Sequence, residues 1–185
     1  IAMAASAIKL AKQRVLVQDM NCIETLARVD VLCVDKTGTI TQGKPVVTDV
    51  LLSENISREK LLGLAASLEK LSEHPLADAI VAEAEKIGYA NLSVSDFNQI
   101  PGQGVTGIID GELVLAGNRR LMEAYNFPGG ALMTKGEELA SDGKTPLYFA
   151  KASKLLGVIA VADVVKPTST QAVMELSGMG IEVVM

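Results

Sequence analysis

Val31-Leu32-Cys33-Val34-Asp35-Lys36-Thr37-Gly38-Thr39-Ile40-Thr41 passes from an apolar run straight into an acidic, hydroxyl-rich segment that contains a glycine. The apolar part is short and largely β-branched, the pattern of a buried strand. Asp35 therefore falls where a strand gives way to a loop. In open α/β sheets that edge, beyond the carboxyl ends of the strands, is where ligands bind. A carboxylate placed there can attack a phosphoryl group and form an aspartyl-phosphate. Lys36 sets a cation beside it, and Gly38 lets backbone amides approach a phosphate closely. Thr37, Thr39 and Thr41 offer hydroxyls to phosphate or to a magnesium ion. A lone Asp after a strand is more often a turn or capping residue; the ordered heptad Asp35–Thr41 is what carries the phosphoryl reading.

Outward from this stretch, the chain reads as one domain interrupted by another. Gly43-Lys44-Pro45 breaks the structure, and residues 46–52 read as a strand leaving the first domain. Ser57 is a good N-cap for a helix whose apolar stripe includes Leu61, Leu64, Leu68 and Leu71. Pro75 fits the first position of a second helix that presents Ile80, Val81, Ala84 and Ile87 and stops at Gly88. Asp110-Gly111 between two apolar runs is a strong hairpin signal. Asn118 caps a short helix, residues 134–142 suggest another that ends at Gly143, and strands over 146–151 and 155–161 meet at Ala152-Ser153. Asp163 to Pro167 returns the chain to the first domain. There Thr168 or Ser169 is expected to cap a last helix before a strand that begins at Ile181. A strand–helix–strand succession of this kind fits a parallel sheet. The insertion runs roughly from Pro45 to Ala162.

The totals narrow the function class. The 185 residues are 49% hydrophobic and 21% charged, ordinary for a globular α/β protein, and the formal net charge is -5. No basic cluster stands out, which argues against a nucleic-acid partner. Cys22 and Cys33 have no metal-ligand spacing and read as reduced thiols. No apolar run is long enough to span a bilayer. Ile1 at the start and a strand-like run at the end suggest a piece of a longer protein, with an Ala-rich helix over residues 1–12.

A second group of residues follows in order: His74, Gly102, Gly104, Gly117 and Asn118. Singly each has a bland reading. A lone His at a helix start is usually structural, a bare Gly-x-Gly is a tight turn, and Asn before a helix is a cap.

Asp35-Lys36-Thr37-Gly38-Thr39-Ile40-Thr41 resembles the phosphorylation signature of P-type ATPases, cation pumps with a haloacid-dehalogenase-like phosphorylation domain. Ser72-Glu73-His74-Pro75, then Pro101-Gly102-Gln103-Gly104, a hairpin and Gly117-Asn118 resemble the nucleotide-binding domain of the heavy-metal-transporting, copper-type subgroup. The resemblance covers nearly all the chain from Val29 onward. It implies an α/β fold in which a partial haloacid-dehalogenase-like parallel-sheet domain, residues 29–44 and 163–185, is interrupted by an α+β nucleotide-binding domain with an antiparallel sheet, residues 45–162. Residues 1–28 would be a helical segment leading from a membrane helix.

The roles follow from the resemblance alone. Asp35 is the nucleophile, assisted by Lys36, Thr37 and Thr39, with Asp35 and Thr37 at the Mg2+ ion. ATP lies in the inserted domain, with Glu69 at the adenine, His74 orienting the nucleotide, Gly102 and Gly104 letting the backbone pass close to it, and Gly117 and Asn118 on the phosphate side. Asp163 and Lys166 form the hinge between the domains. The resemblance further implies the cytoplasmic portion of an integral membrane pump that exports a transition-metal ion, copper foremost. Its partners would be the nucleotide, the pump's own membrane and actuator domains and the transported ion. Two alternatives stand beside this reading. A soluble haloacid-dehalogenase-type phosphatase or phosphotransferase would need a second acidic residue two positions after the nucleophile, where this chain has Thr37. A catalytically silent nucleotide-binding module would leave no phosphoenzyme.

Overall fold

The computed structural model describes residues 31–33, 40–54, 56–127 and 130–184. The helix expected over residues 1–12, Cys22, and the site residues Asp35, Lys36, Thr37 and Thr39 lie outside them. The chain divides into two compact units, Ile1–Thr41 with Val165–Met185, and Gln42–Val164.

The larger unit is built on a six-stranded sheet. In chain order its strands are β2 (Thr41–Leu52), β3 (Ser95–Ile100), β4 (Gly104–Ile109), β5 (Glu112–Gly117), β6 (Thr145–Lys151) and β7 (Lys154–Val165), and in space they run β2-β7-β6-β5-β4-β3. The pairs from β3 to β7 are antiparallel. Asp110 and Gly111 join β4 to β5 with both φ angles positive, 54° and 75°, the geometry of a two-residue hairpin turn. Ala152 and Ser153 repeat it between β6 and β7, at 48° and 65°.

The period of two along these strands sorts the core. Val114 and Ala116 on β5, Phe149 on β6, and Ile159 and Val161 on β7 bury toward α1 (Arg58–Glu69) and α2 (Pro75–Ile87). Their neighbours Leu115, Tyr148, Ala150 and Val158 bury with Leu121, Met122 and Met133 of α3 (Arg119–Ala124) and α4 (Ala131–Ser141). The sheet is thus covered on both faces, with helical layers either side of it.

The helix signals hold in detail. The Ser57 side chain accepts from the Lys60 N–H, Pro75 opens α2, and Gly88 closes it at φ 70°. Three readings need correction. α1 ends at Glu69, so Leu71 leaves the apolar stripe and is exposed, as is Ile87 at the end of α2. β3 was not anticipated, because Ser95-Asp96-Phe97-Asn98-Gln99-Ile100 carries little apolar alternation; it is an edge strand with a register shift between Ser95 and Asn98. The third concerns the cap of the last helix.

In the smaller unit, β1 (Val31–Cys33) pairs in parallel with β8 (Glu182–Val184), and α5 (Pro167–Gly178) precedes β8. The fold class is therefore as expected, a parallel pair on one side of the chain division and an antiparallel sheet on the other. α5 begins at Pro167 with Lys166 in the cap position, not at Thr168 or Ser169. Proline is pre-set for the first helical turn, which moves the start forward. Ser169 is buried instead, and its hydroxyl donates to the Ile40 carbonyl at 2.8 Å.

Candidate functional site

Within the larger unit, a cavity of about 210 Å³ opens where the α1–α2 corner meets β3 to β6. It is lined by Glu69, His74, Gly102, Gly104, Gly117 and Asn118 together. The second sequence group, and Glu69 with it, thus share one wall system. Ser72 and Leu76 join them from the corner, Gln99 and Ile100 from β3, and Thr145 and Leu147 from β6. Ser72 was visible in the Ser-Glu-His-Pro run. Gln99 and Thr145 gave no sequence signal, since only the strand order brings them here. Glu73 is exposed and does not line the cavity.

Glu69 is the last residue of a helix buried without a break from Leu61 onward, and it is only 5% exposed. Burial pushes its carboxyl up to about 7, against an opposing hydrogen bond from Ser72. It therefore titrates near neutrality and can accept from a ligand N–H or donate to a ring nitrogen. Ser72 also reaches the next residue of the site, as its hydroxyl oxygen accepts from the His74 N–H at 3.2 Å.

His74 caps α2. Its Nδ1 accepts from the Leu76 N–H at 3.2 Å, so the ring carries its proton on Nε2. The cap fixes the tautomer and leaves Nε2–H as the ring's donor.

Gly104 and Gly117 face each other across β4 and β5. A Cβ on Gly104 would lie 2.5 Å from the Gly117 Cα, and one on Gly117 would lie 2.9 Å from the Gly104 Cα. Both would also strike backbone oxygens, of Ala116 and Gln103 respectively. The missing Cβ of Gly104 lets the two strands close, and Gly104 also lines the cavity. Gly102 differs, as open space surrounds the position of its absent Cβ. Asn118 is bonded to that turn, its Nδ2 donating to the Gly102 carbonyl at 2.8 Å.

A second groove in the same unit, of about 570 Å³ and lined in part by Ile56, Leu64, Tyr89 and Leu156, is larger. Glu59, Lys60, Asp110 and Lys151 also line it, but none of the candidate site residues does, and its Lys151 already pairs with Asp110 and Glu112. Among the described residues no group of three or more His, Cys, Asp or Glu could hold a metal ion, and no helix is long and apolar enough to cross a membrane. The smaller cavity falls below the roughly 300 Å³ of a site that encloses a drug-sized molecule. Such a volume is enough to enclose only part of a ligand of that size.

The two residues expected at the hinge each make a bond within their own unit. The Asp163 carboxylate accepts from the Gly43 N–H at 3.2 Å in the larger unit. Lys166 donates its backbone N–H to the Ile40 carbonyl at 2.9 Å in the smaller one.

Residues 29–185 match the family model of the haloacid dehalogenase-like hydrolases. The chain belongs to that family. Within the haloacid dehalogenase-like hydrolases, it is similar to a copper-transporting P-type ATPase of Rhizobium leguminosarum bv. viciae, 42% identical over 175 residues that cover 95% of this chain and 21% of the relative. Its fold is similar to that of a zinc-transporting PIB-type ATPase in the E2.Pi state, with a TM-score of 0.79 and 34% identity over 91% of this chain and 27% of that one. It is also similar to the catalytic domain of the CPx-ATPase CopB-B, in a structure concerned with conformational changes upon nucleotide binding, with a TM-score of 0.65 and 25% identity over 91% of this chain and 57% of that one. The chain spans about a fifth to a quarter of the length of the curated relatives it matches.

Proposed function

We propose that this chain is the ATP-binding and phosphorylation region of a P-type ATPase that exports a transition-metal ion by way of an aspartyl-phosphate on Asp35. The observation that carries the proposal is the convergence of Glu69, His74, Gly102, Gly104, Gly117 and Asn118 on one cavity, although they are spread over three helices and their caps, a turn and the ends of two strands. The β4–β5 pairing gathers the glycines and Asn118, and the α1–α2 corner adds Glu69 and His74 to the same wall. The copper-transporting relatives and the CPx-ATPase neighbour support the same reading.

Residues 45–162 would bind ATP, with Glu69 at the adenine and the Nε2–H of His74 donating to a nucleotide acceptor. Asp35 would attack the γ-phosphorus in line, with Lys36, Thr37 and Thr39 countering the developing charge. Asp35 and Thr37 would hold Mg2+, which supplies charge neutralisation when bound. Residues 29–44 and 163–185 would form the phosphorylation domain, residues 1–28 would lead from the membrane, and Asp163 and Lys166 would serve the hinge. The whole pump would be a membrane protein with this region in the cytoplasm. Copper is the first assignment for the ion, from the relatives' names, with zinc next because a zinc transporter shares the fold. Thr37, two positions past Asp35, sets the chain apart from a phosphatase that needs an acid there.

Calorimetric titration of the chain with ATP, beside His74→Asn and Asp35→Asn variants, tests the reading. Asn retains the cap on α2 but lacks the ring, so His74→Asn should stay folded and bind ATP more weakly, by roughly tenfold for about 1.4 kcal/mol of lost interaction. Asp35→Asn should bind ATP as the unmodified chain does and lose any hydroxylamine-labile label from γ-labelled ATP. A folded chain that binds no nucleotide would overturn the proposal.

A further inference from the structure

On the nucleotide reading above, Asn118 belongs on the phosphate side of the ligand, where a carboxamide would be expected to donate to a phosphate oxygen. Its bonds in the folded chain point elsewhere. Its Oδ1 accepts from the Leu121 N–H at 3.2 Å and caps α3. Its Nδ2 donates to the Gly102 carbonyl at 2.8 Å. Its backbone N–H donates to the Gln103 carbonyl, also at 2.8 Å. One residue thus ties the start of a helix to two consecutive carbonyls of the Gly102–Gly104 turn.

That turn needs tying. Gly102 and Gly104 both hold positive φ, 70° and 148°, in the region where glycine is freest and its ordering costs most. Within the turn, the Gln103 N–H donates to the Ile100 carbonyl. Gly102, Gln103 and Gly104 all line the cavity, so any freedom in the turn is freedom in the cavity wall.

We propose that Asn118 is a positioning residue, whose side chain staples the Gly102–Gly104 turn to α3 and holds the cavity wall ready for the nucleotide. Its effect on affinity then comes from pre-organisation and does not depend on how many phosphates the ligand carries.

Asn118→Ser separates the two roles. Serine caps a helix as well as asparagine does but is too short to reach the Gly102 carbonyl. Asn118→Ala removes both bonds and serves as the second variant. The full-length chain and both variants are titrated with AMP, ADP and ATP, and the backbone amide resonances of Gly102, Gln103 and Gly104 are recorded without nucleotide. Asn118→Ser should melt close to the unmodified chain, show displaced turn resonances, and bind all three nucleotides weaker by a common factor. That factor should be about five, the worth of one neutral hydrogen bond. Asn118→Ala should show the same flat loss with a lower melting temperature. A loss that steepens from AMP to ATP with the turn resonances unmoved would show direct phosphate contact and overturn the proposal. Unchanged affinities in both variants would overturn it too. If the unmodified chain binds none of the three nucleotides, the reading of the cavity itself fails, and the staple has no ligand to serve.

Discussion

Glu69 is a carboxyl group held where a carboxylate is poorly accommodated, and its titration reaches the stability of the chain. Its ordinary value is near 4.5 and in the folded chain it rises to about 7. Below pH 4.5 both folded and unfolded chains carry the proton, and the group is neutral in its effect. Between 4.5 and 7 the unfolded chain releases the proton first, so stability falls as pH rises, and above 7 the loss is complete at roughly 3 kcal/mol. Glu69→Gln should remove that slope: about equal to the unmodified chain near pH 4.5 and more stable by roughly 3 kcal/mol near pH 8 in urea unfolding. A stability difference independent of pH would count against a buried, titrating Glu69. The position of Glu69 was legible five residues before His74. Its burial was not, because the sequence showed a one-sided apolar stripe whereas α1 is enclosed all round from Leu61 to Glu69. The nature of His74 was half legible: Pro75 marked the helix start, but only the bond from the Leu76 N–H fixes the ring's tautomer.

At the scale of elements, the glycines of the cavity do different work despite their common spelling. Gly104 and Gly117 permit the approach of β4 and β5, with Gly117 additionally against the Leu121 side chain. Gly117→Ala should therefore lower stability by more than about 2 kcal/mol, since the added carbon meets backbone that cannot yield. Gly102→Ala meets nothing and should cost only about 1 kcal/mol for the left-handed backbone. Thermal or urea unfolding of the two variants ranks them; the reverse order would mean that the strands separate freely. The β4–β5 hairpin was legible from Asp110-Gly111, because a two-residue turn writes its own requirement into the sequence. β3 was not, since an edge strand with one face in solvent and a bulge can be built from polar residues. The start of α5 was misplaced for a similar reason: Ser169 looked like a cap, but its hydroxyl serves the Ile40 carbonyl, a partner 129 positions away.

At the scale of the molecule, the sequence reading placed the insertion between the break at Gly43-Lys44-Pro45 and the return at Asp163 to Pro167, and the larger compact unit runs from Gln42 in β2 to Val164 in β7. A protein made of residues 42–164 alone contains both hydrophobic clusters and the whole cavity. It should unfold in one cooperative transition and bind adenine nucleotides as the full chain does; an unstructured product would contradict its independence. Its two ends lie side by side, since the Gly43 N–H meets the Asp163 carboxylate across 120 positions of sequence. That bond bears on the order of folding. Pairing β1 with β8 in an otherwise open chain means closing a loop of about 150 positions, from Val31 to Glu182, whereas after the insertion has folded with its ends joined the same closure spans only the segments between those ends and the two strands. By the logarithmic dependence of loop entropy on length, the difference is about 1.5 kcal/mol. Pulse-labelled hydrogen exchange should find the amides of Tyr148 and Phe149 protected before those of Leu32 and Val183. The parallel pair is thus the last part of the chain to be made, and a defect in the core of the insertion is inherited by a strand pair outside it.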